Sequence, residues 1–178
     1  LKAGHDISNV SGSISGRRVA LAAGHDILNT TATQTITSGK KSSTQTIHSG
    51  FLGDTTTTFT DSFNAYNTLV GATGSISASE TLSLEAVNNL TLTGSTISAG
   101  GDAWLKAGNN LSVNTLAAES GTGASGYGYS HTTAQTTNLT SSIQIGGNLG
   151  MSSGNNMTLT AASLDVGKNA SLIAGNNL

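Results

Sequence analysis

The chain has 178 residues, long enough for one domain with a real core. Charged residues are 9% and aromatics 4%, net charge is −2, Pro and Cys are absent, and Gly, Ser, Thr and Asn form about half of the sequence. That balance excludes a disulfide framework and an electrostatic case for nucleic acid, no run approaches the ~18 apolar residues of a membrane span, and the small polar residues disfavour helix interiors.

Chains this polar often fail to bury enough apolar surface to order themselves. Here 35% of residues are hydrophobic, and they recur at regular spacing, which argues for a folded repeat. The chain opens Leu1-Lys2-Ala3-Gly4-His5-Asp6-Ile7, and Leu21-Ala22-Ala23-Gly24-His25-Asp26-Ile27 repeats it 20 residues later. The same wording returns from Leu84, Leu105, Met151 and Leu172, with Asn88-Asn89, Asn109-Asn110, Asn155-Asn156 and Asn176-Asn177 where His-Asp stood. Leu84 to Leu105 and Met151 to Leu172 are each 21 residues, so the period is 20–21. Ile76 to Ile97 and Ile143 to Leu164 agree, at 21 each.

Within one period the apolar residues alternate with polar ones. Leu82, Leu84 and Ala86 form one set, Leu90 and Leu92 a second, and Ile97 and Ala99 a third. Period two, three times per repeat, predicts three short strands separated by tight turns of Asn and Gly. Three such strands cannot close a core alone, so each unit must bury its Leu, Ile and Ala against the next copy. The expected fold is all-β: a right-handed parallel β-helix (β-solenoid) of about 20–21 residues per coil, with like residues stacked in columns. A β-sandwich is the alternative, but it does not require the same wording at a fixed period.

The period breaks twice, giving two extra-helical insertions at approximately 30–72 and 118–137. In the first, Thr33–Ile36 and Thr44–Ile47 repeat around Lys40-Lys41, which predicts a hairpin turning at the lysines. Further on, Phe59, Phe63, Tyr66 and Val70 stand at helical spacing and allow a short helix. The second insertion is Gly-rich, a composition of flexible segments. Six of the seven aromatics lie in these stretches, as Phe51, Phe59, Phe63, Tyr66, Tyr127 and Tyr129. They are the candidate contact residues for a partner. The seventh, Trp104, falls between inward Ala103 and Leu105 and so points outward.

His5, Asp6, His25 and Asp26 would lie one coil apart, and two imidazoles with two carboxylates are a donor set for Zn²⁺ or Cu²⁺. A slot that accepts His-Asp or Asn-Asn is first of all a turn slot, however. The reading is a structural turn ladder of His5, Asp6, His25, Asp26, Asn88, Asn89, Asn109, Asn110, Asn155, Asn156, Asn176 and Asn177, with no catalytic residue, metal or cofactor assigned. The nine acids are scattered along the chain, which argues against the paired carboxylates of a β-helical polysaccharide-active enzyme.

The stretches Leu105–Val113, Leu90–Gly108 and Met157–Leu178 resemble the repeats of filamentous haemagglutinin-like proteins, large two-partner-secretion exoproteins of Gram-negative bacteria that include adhesins and contact-dependent growth-inhibition proteins. The resemblance implies one β-helix segment, residues 1–178, of a longer filament. It implies secretion to the bacterial cell surface and a structural stalk used in adhesion or toxin delivery. The implied partners are flanking repeats of the same polypeptide and an outer-membrane transporter during export. A receptor- or glycan-binding role for the aromatic insertions is the alternative.

Overall fold

The computed structural model describes the backbone of residues 1–49, 55–126 and 128–178, and the side chains of 1–40, 61–126 and 128–178. All regular elements among the described residues are β-strands. The chain forms two compact units, one of Leu1–Ala32, Val70–Leu116 and Asn138–Leu178, the other of Thr33–Leu69 and Ala117–Thr137.

The first unit is a parallel β-helix. Its first coil is β1 (Lys2–Ala3), β2 (Ile7–Val10) and β3 (Ser13–Gly16), and its second starts with β4 (Val19–Ala23) and β5 (Ile27–Thr30). The chain then passes through β6 (Thr33–Ser49) and β7 (Thr55–Val70) before β8 (Ser75–Ala78) completes that coil. The third coil is uninterrupted: β9 (Leu82–Ala86), β10 (Leu90–Thr93) and β11 (Thr96–Ala99). The fourth runs through β12 (Ala103–Ala107) and β13 (Leu111–Asn114), departs into β14 (Leu116–Gly126) and β15 (Tyr129–Leu139), and closes with β16 (Ser142–Ile145). β17 (Leu149–Ser153), β18 (Met157–Leu159) and β19 (Ser163–Val166) make the fifth, and β20 (Ala170–Ala174) begins a sixth. Strands stack into three sheets, ordered β1-β4-β9-β12-β17-β20, β18-β13-β10-β5-β2 and β19-β16-β11-β8-β3.

Register aligns like with like. Leu21, Leu84, Leu105, Met151 and Leu172 form one inward column. Ile14, Ile76, Ile97, Ile143 and Leu164 form another, and Ile7, Ile27, Leu90, Leu111 and Met157 a third. Alternation sends these residues inside, where Leu84, Leu105, Ile97 and Ile143 are almost wholly buried. Small residues fill the narrow corner, with Ala23, Ala86 and Ala107 stacked in register. The turn glycines face a tighter limit. A Cβ on Gly108 would lie 1.9 Å from the Val87 carbonyl oxygen, and one on Gly154 2.0 Å from that of Gly108. Val87 itself occupies this slot in the third coil and exposes its side chain.

One column changes character along the axis. Asn9 and Asn29 occupy the inward position that Leu92 and Val113 hold in later coils. Asn9 Nδ2 donates to Asn29 Oδ1 at 2.7 Å, and also to the carbonyls of Gly12 and Ser75. Asn29 is wholly buried and its Nδ2 has no partner among the described residues.

The second unit is one four-stranded sheet, ordered β15-β14-β7-β6. β14 runs antiparallel to β7, with Ser120 opposite Asn67 and Ser125 opposite Ser62. The two insertions, about 50 residues apart in sequence at their nearest, therefore pair with each other. Three sequence expectations are corrected here. β6 runs unbroken through Gly39-Lys40-Lys41, so no hairpin turns at the lysines. Residues 55–70 are a strand rather than a helix. Their run of Thr and aromatic residues favours a pleated backbone over a helix, where β-branching restricts χ1. The Gly-rich second insertion forms β14 and β15, whose described backbone is strand over most of its length.

Leu105→Ala removes a fully buried side chain from the middle of its column. It is expected to cost about 2–5 kcal/mol in chemical denaturation, and Leu172→Ala, partly exposed in the last strand, clearly less. Asn29→Leu gives the second coil the residue type of the third and removes an unpartnered buried amide, while Asn9 keeps two other acceptors. It is expected to hold or raise the urea midpoint, and a marked loss would mean that Asn29 has a stabilising partner.

Candidate functional site

The polar turn between the first and second strand of each coil builds a continuous ladder. Its backbone rungs come first: His25 N donates to His5 O, Asn88 N to His25 O, Asn109 N to Asn88 O, Asn155 N to Asn109 O and Asn176 N to Asn155 O, all at 2.8–2.9 Å. The side chain of the second turn residue then caps the coil above. Asp26 Oδ1 accepts from Asn89 N at 2.8 Å and Asn88 Nδ2 at 3.0 Å. Asn89 Oδ1 accepts from both the N and Nδ2 of Asn110, and Asn110 Oδ1 from Asn156 N and Asn155 Nδ2. Asn156 Oδ1 ends the series with Asn176 Nδ2 and Asn177 Nδ2.

Asn suits this position because its amide donates to one coil while its carbonyl accepts from the other. Asp can only accept. Asp6 Oδ1 receives Asp26 N at 3.0 Å, but the Asp26 side chain has nothing to donate back. The histidines occupy that gap. His5 Nδ1 lies 2.8 Å from Asp6 Oδ2, and His25 Nδ1 lies 3.2 Å from Asp6 Oδ1 and 3.0 Å from Asp26 Oδ2. The two rings stack at 4.7 Å with 20° between their planes. Hydrogen bonding from the Asp26 backbone N–H, then from the His5 side chain, holds Asp6 below the usual carboxylate range.

Beside this end of the ladder runs an open groove of about 550 Å³, lined among others by Asp6, Asp26, Ile7, Ile27 and Asn89. Its two carboxylates are the arrangement a polysaccharide-cleaving site would start from. A general acid needs a raised pKa, and Asp6 is shifted the other way.

A second ladder escaped the sequence reading. Asp102 Oδ1 accepts from Asn148 N at 2.7 Å and Asn148 Nδ2 at 3.0 Å, and Asn148 Oδ1 accepts likewise from Asn169. The Asn148 N–H holds Asp102 below the usual carboxylate range. The signal was present as Gly-x-Asp or Gly-x-Asn before β12, β17 and β20. Buried hydroxyls at the corner between second and third strands were also missed. Thr31 Oγ1 donates to Gly94 O and accepts from Gly74 N, and Ser141 Oγ donates to Asn114 O and accepts from Ser95 N. They satisfy backbone groups where the uninterrupted coil turns on Gly94, whose φ is +54°.

Among the described residues the aromatic candidates Phe63, Tyr66 and Tyr129 are spread over the insertion sheet. Phe51 and Tyr127 lie outside the described residues, as does the side chain of Phe59. Phe63 and Tyr66 are three residues apart on β7, so strand alternation puts them on opposite faces of the sheet. The Tyr66 ring lies over Gly121, where an added Cβ would be 2.7 Å away, and Tyr129 is exposed at the start of β15. Tyr66 borders a groove of about 630 Å³ with Ile36, Ala65, Thr122 and Gln135. Trp104 is half-exposed on the outer face of β12, next to Gly150.

A family model described as Hemagglutinin repeat matches residues 1–123 and again residues 121–178. No curated protein and no solved structure matches the chain.

Depressed carboxylates give a signed pH dependence. Asp6 and Asp102 bind protons less readily folded than unfolded, so their contribution is complete above the ordinary carboxylate pKa of about 3.9 and is lost below it, as pH falls through the lowered folded values. The variant Asp6→Asn/Asp102→Asn is expected to lose less thermal stability than the parent between about pH 5 and about pH 3. Parallel melting profiles would contradict the ladder assignment.

Proposed function

The chain belongs to the haemagglutinin-repeat family, and from that premise we propose that it is a stalk segment of a large secreted bacterial surface exoprotein, serving adhesion or contact-dependent toxin delivery. The observation that carries this reading is the in-register stacking of near-identical coils. Each coil buries its Leu and Ile against its neighbours, so length grows by adding coils without redesigning the core. Such a rod does its work by spanning distance. Its partners are flanking repeats of the same polypeptide and the outer-membrane transporter that exports it. It is not an enzyme on this reading, and it acts at the cell surface.

A second reading rests on a separate observation, the groove beside Tyr66 in the insertion sheet, where exposed Ile36 supplies apolar surface. There the insertions contact a receptor or glycan, and the β-helix only carries them.

Replacing Thr33–Leu69 and Ala117–Thr137 with turns copied from Gly94-Ser95 separates the two. For a stalk, the shortened chain is expected to keep its β-sheet circular dichroism and cooperative unfolding, and to be retained on cell surfaces as well as the parent. Loss of retention with the fold intact would move the function into the insertion sheet.

A further inference from the structure

The turn ladder is written Asn-Asn in four coils and His-Asp in two adjacent ones, where it gives up a rung. Asn at positions 6 and 26 would donate and accept in both directions, whereas two stacked carboxylates can only accept. A departure from the local rule that weakens the ladder marks a place with another use. The departure gathers two imidazoles and two carboxylates from successive coils. Ligand atoms of His5, Asp6 and His25 all lie within 4.8 Å of one another, and among the described residues this is the group of His, Cys, Asp and Glu placed to hold a metal ion.

We propose that these paired turns bind one borderline divalent metal ion of the Zn²⁺ or Cu²⁺ class, held by His5, His25 and Asp6, with Asp26 Oδ2, 3.0 Å from His25 Nδ1, beside the fourth position. Mixed imidazole and carboxylate donors suit these ions over Ca²⁺ or Mg²⁺, which take oxygen ligands. With metal–ligand bonds of about 2.0–2.1 Å, neighbouring ligands in a tetrahedron stand about 3.3 Å apart. The N–O separations here are 2.8, 3.2 and 3.0 Å. These separations are close to that spacing, so a small outward movement of the side chains opens the space an ion would take. Any pair of ligand atoms wider than that, up to the 4.8 Å limit of the group, must close on binding. The His5 and His25 side chains are 76% and 46% exposed, so side-chain rotation suffices. Coordination through Nδ1 puts the His25 proton on Nε2, and the weak 3.4 Å approach of Asn88 Nδ2 is given up. The groove along Asp6 and Asp26 leaves one side open to water.

The ladder role and the metal role are compatible, because the backbone rungs do not involve the ligand atoms and the caps use Oδ1 of Asp6 and Asp26, which leaves each Oδ2 beside an imidazole Nδ1. Rewriting all four positions as Asn therefore gives a variant expected to fold. In calorimetric titration of Zn²⁺ into the metal-free 178-residue chain, the parent is expected to take up one equivalent saturably. His5→Asn/Asp6→Asn/His25→Asn/Asp26→Asn is expected to lose more affinity than the roughly ten- to hundredfold that removal of an outer-shell partner costs. Should that variant misfold, imidazole NMR of the parent decides instead: Zn²⁺ is expected to shift His5 and His25 and leave exposed His131 unmoved. No saturable uptake, undiminished uptake by the folded variant, or shifts at His131 equal to those at His5 and His25 would overturn the site.

Discussion

The register of the parallel hydrogen bonds between coils is the constraint on which the first unit depends. Side chains alternate with period two, so a slip of one residue would turn every inward Leu and Ile to solvent. Leu84 opposite Leu105, Ile97 opposite Ile143 and Leu90 opposite Leu111 are one statement of that register. The turn ladders are another, because Asn110 reaches Asn89 only when the strands on either side are in phase. Apolar columns supply most of the burial, and polar ladders at the turns penalise any other alignment. The two kinds of contact are specific in different ways, and they agree.

What the polar ladders contribute differs from what the core contributes. Most of their rungs are partly or fully exposed, so each is worth little against competition from water. Their value lies in satisfying turn backbone groups that strand pairing leaves out. Inside the core the same chemistry is costly. Asn29 keeps one buried amide without a partner, and the column turns to Leu and Val in the next coils. The ion pairs of Arg18 with Glu80 and Lys106 with Glu85 lie on the outer surface and add little.

Much of the β-helix could be read from the sequence, because its contacts are between copies of one motif and the motif announces its period. The strands, the inward Leu and Ile, and the shared slot of His5-Asp6 and Asn88-Asn89 all follow from aligning the chain with itself. The insertions lack that internal reference. Phe59, Phe63, Tyr66 and Val70 fit a helical spacing, yet β7 splits Phe63 and Tyr66 between faces, because pairing with β14 was decided by a segment far along the chain. The second ladder hid in short wording: Asp102, Asn148 and Asn169 share a slot that Arg18 and Thr81 occupy in earlier coils. Buried Asn9 and Asn29 were hidden for another reason, since alternation marks an inward position without saying that it will be polar.

The asparagine ladder also has a direction. Each amide donates toward the N-terminal coil, and each carbonyl oxygen waits for the coil that follows, from Asp26 through Asn89 and Asn110 to Asn156. Each coil therefore presents acceptors to the coil that follows it and donors to the coil before it. The C-terminal edge of a coil thus offers side-chain acceptors and the N-terminal edge offers side-chain donors. The two edges differ in chemistry even where the coils that carry them are near-identical in sequence. The side-chain chemistry of one turn thus gives the stack a polarity, and two stacks could extend one another through this ladder only head to tail.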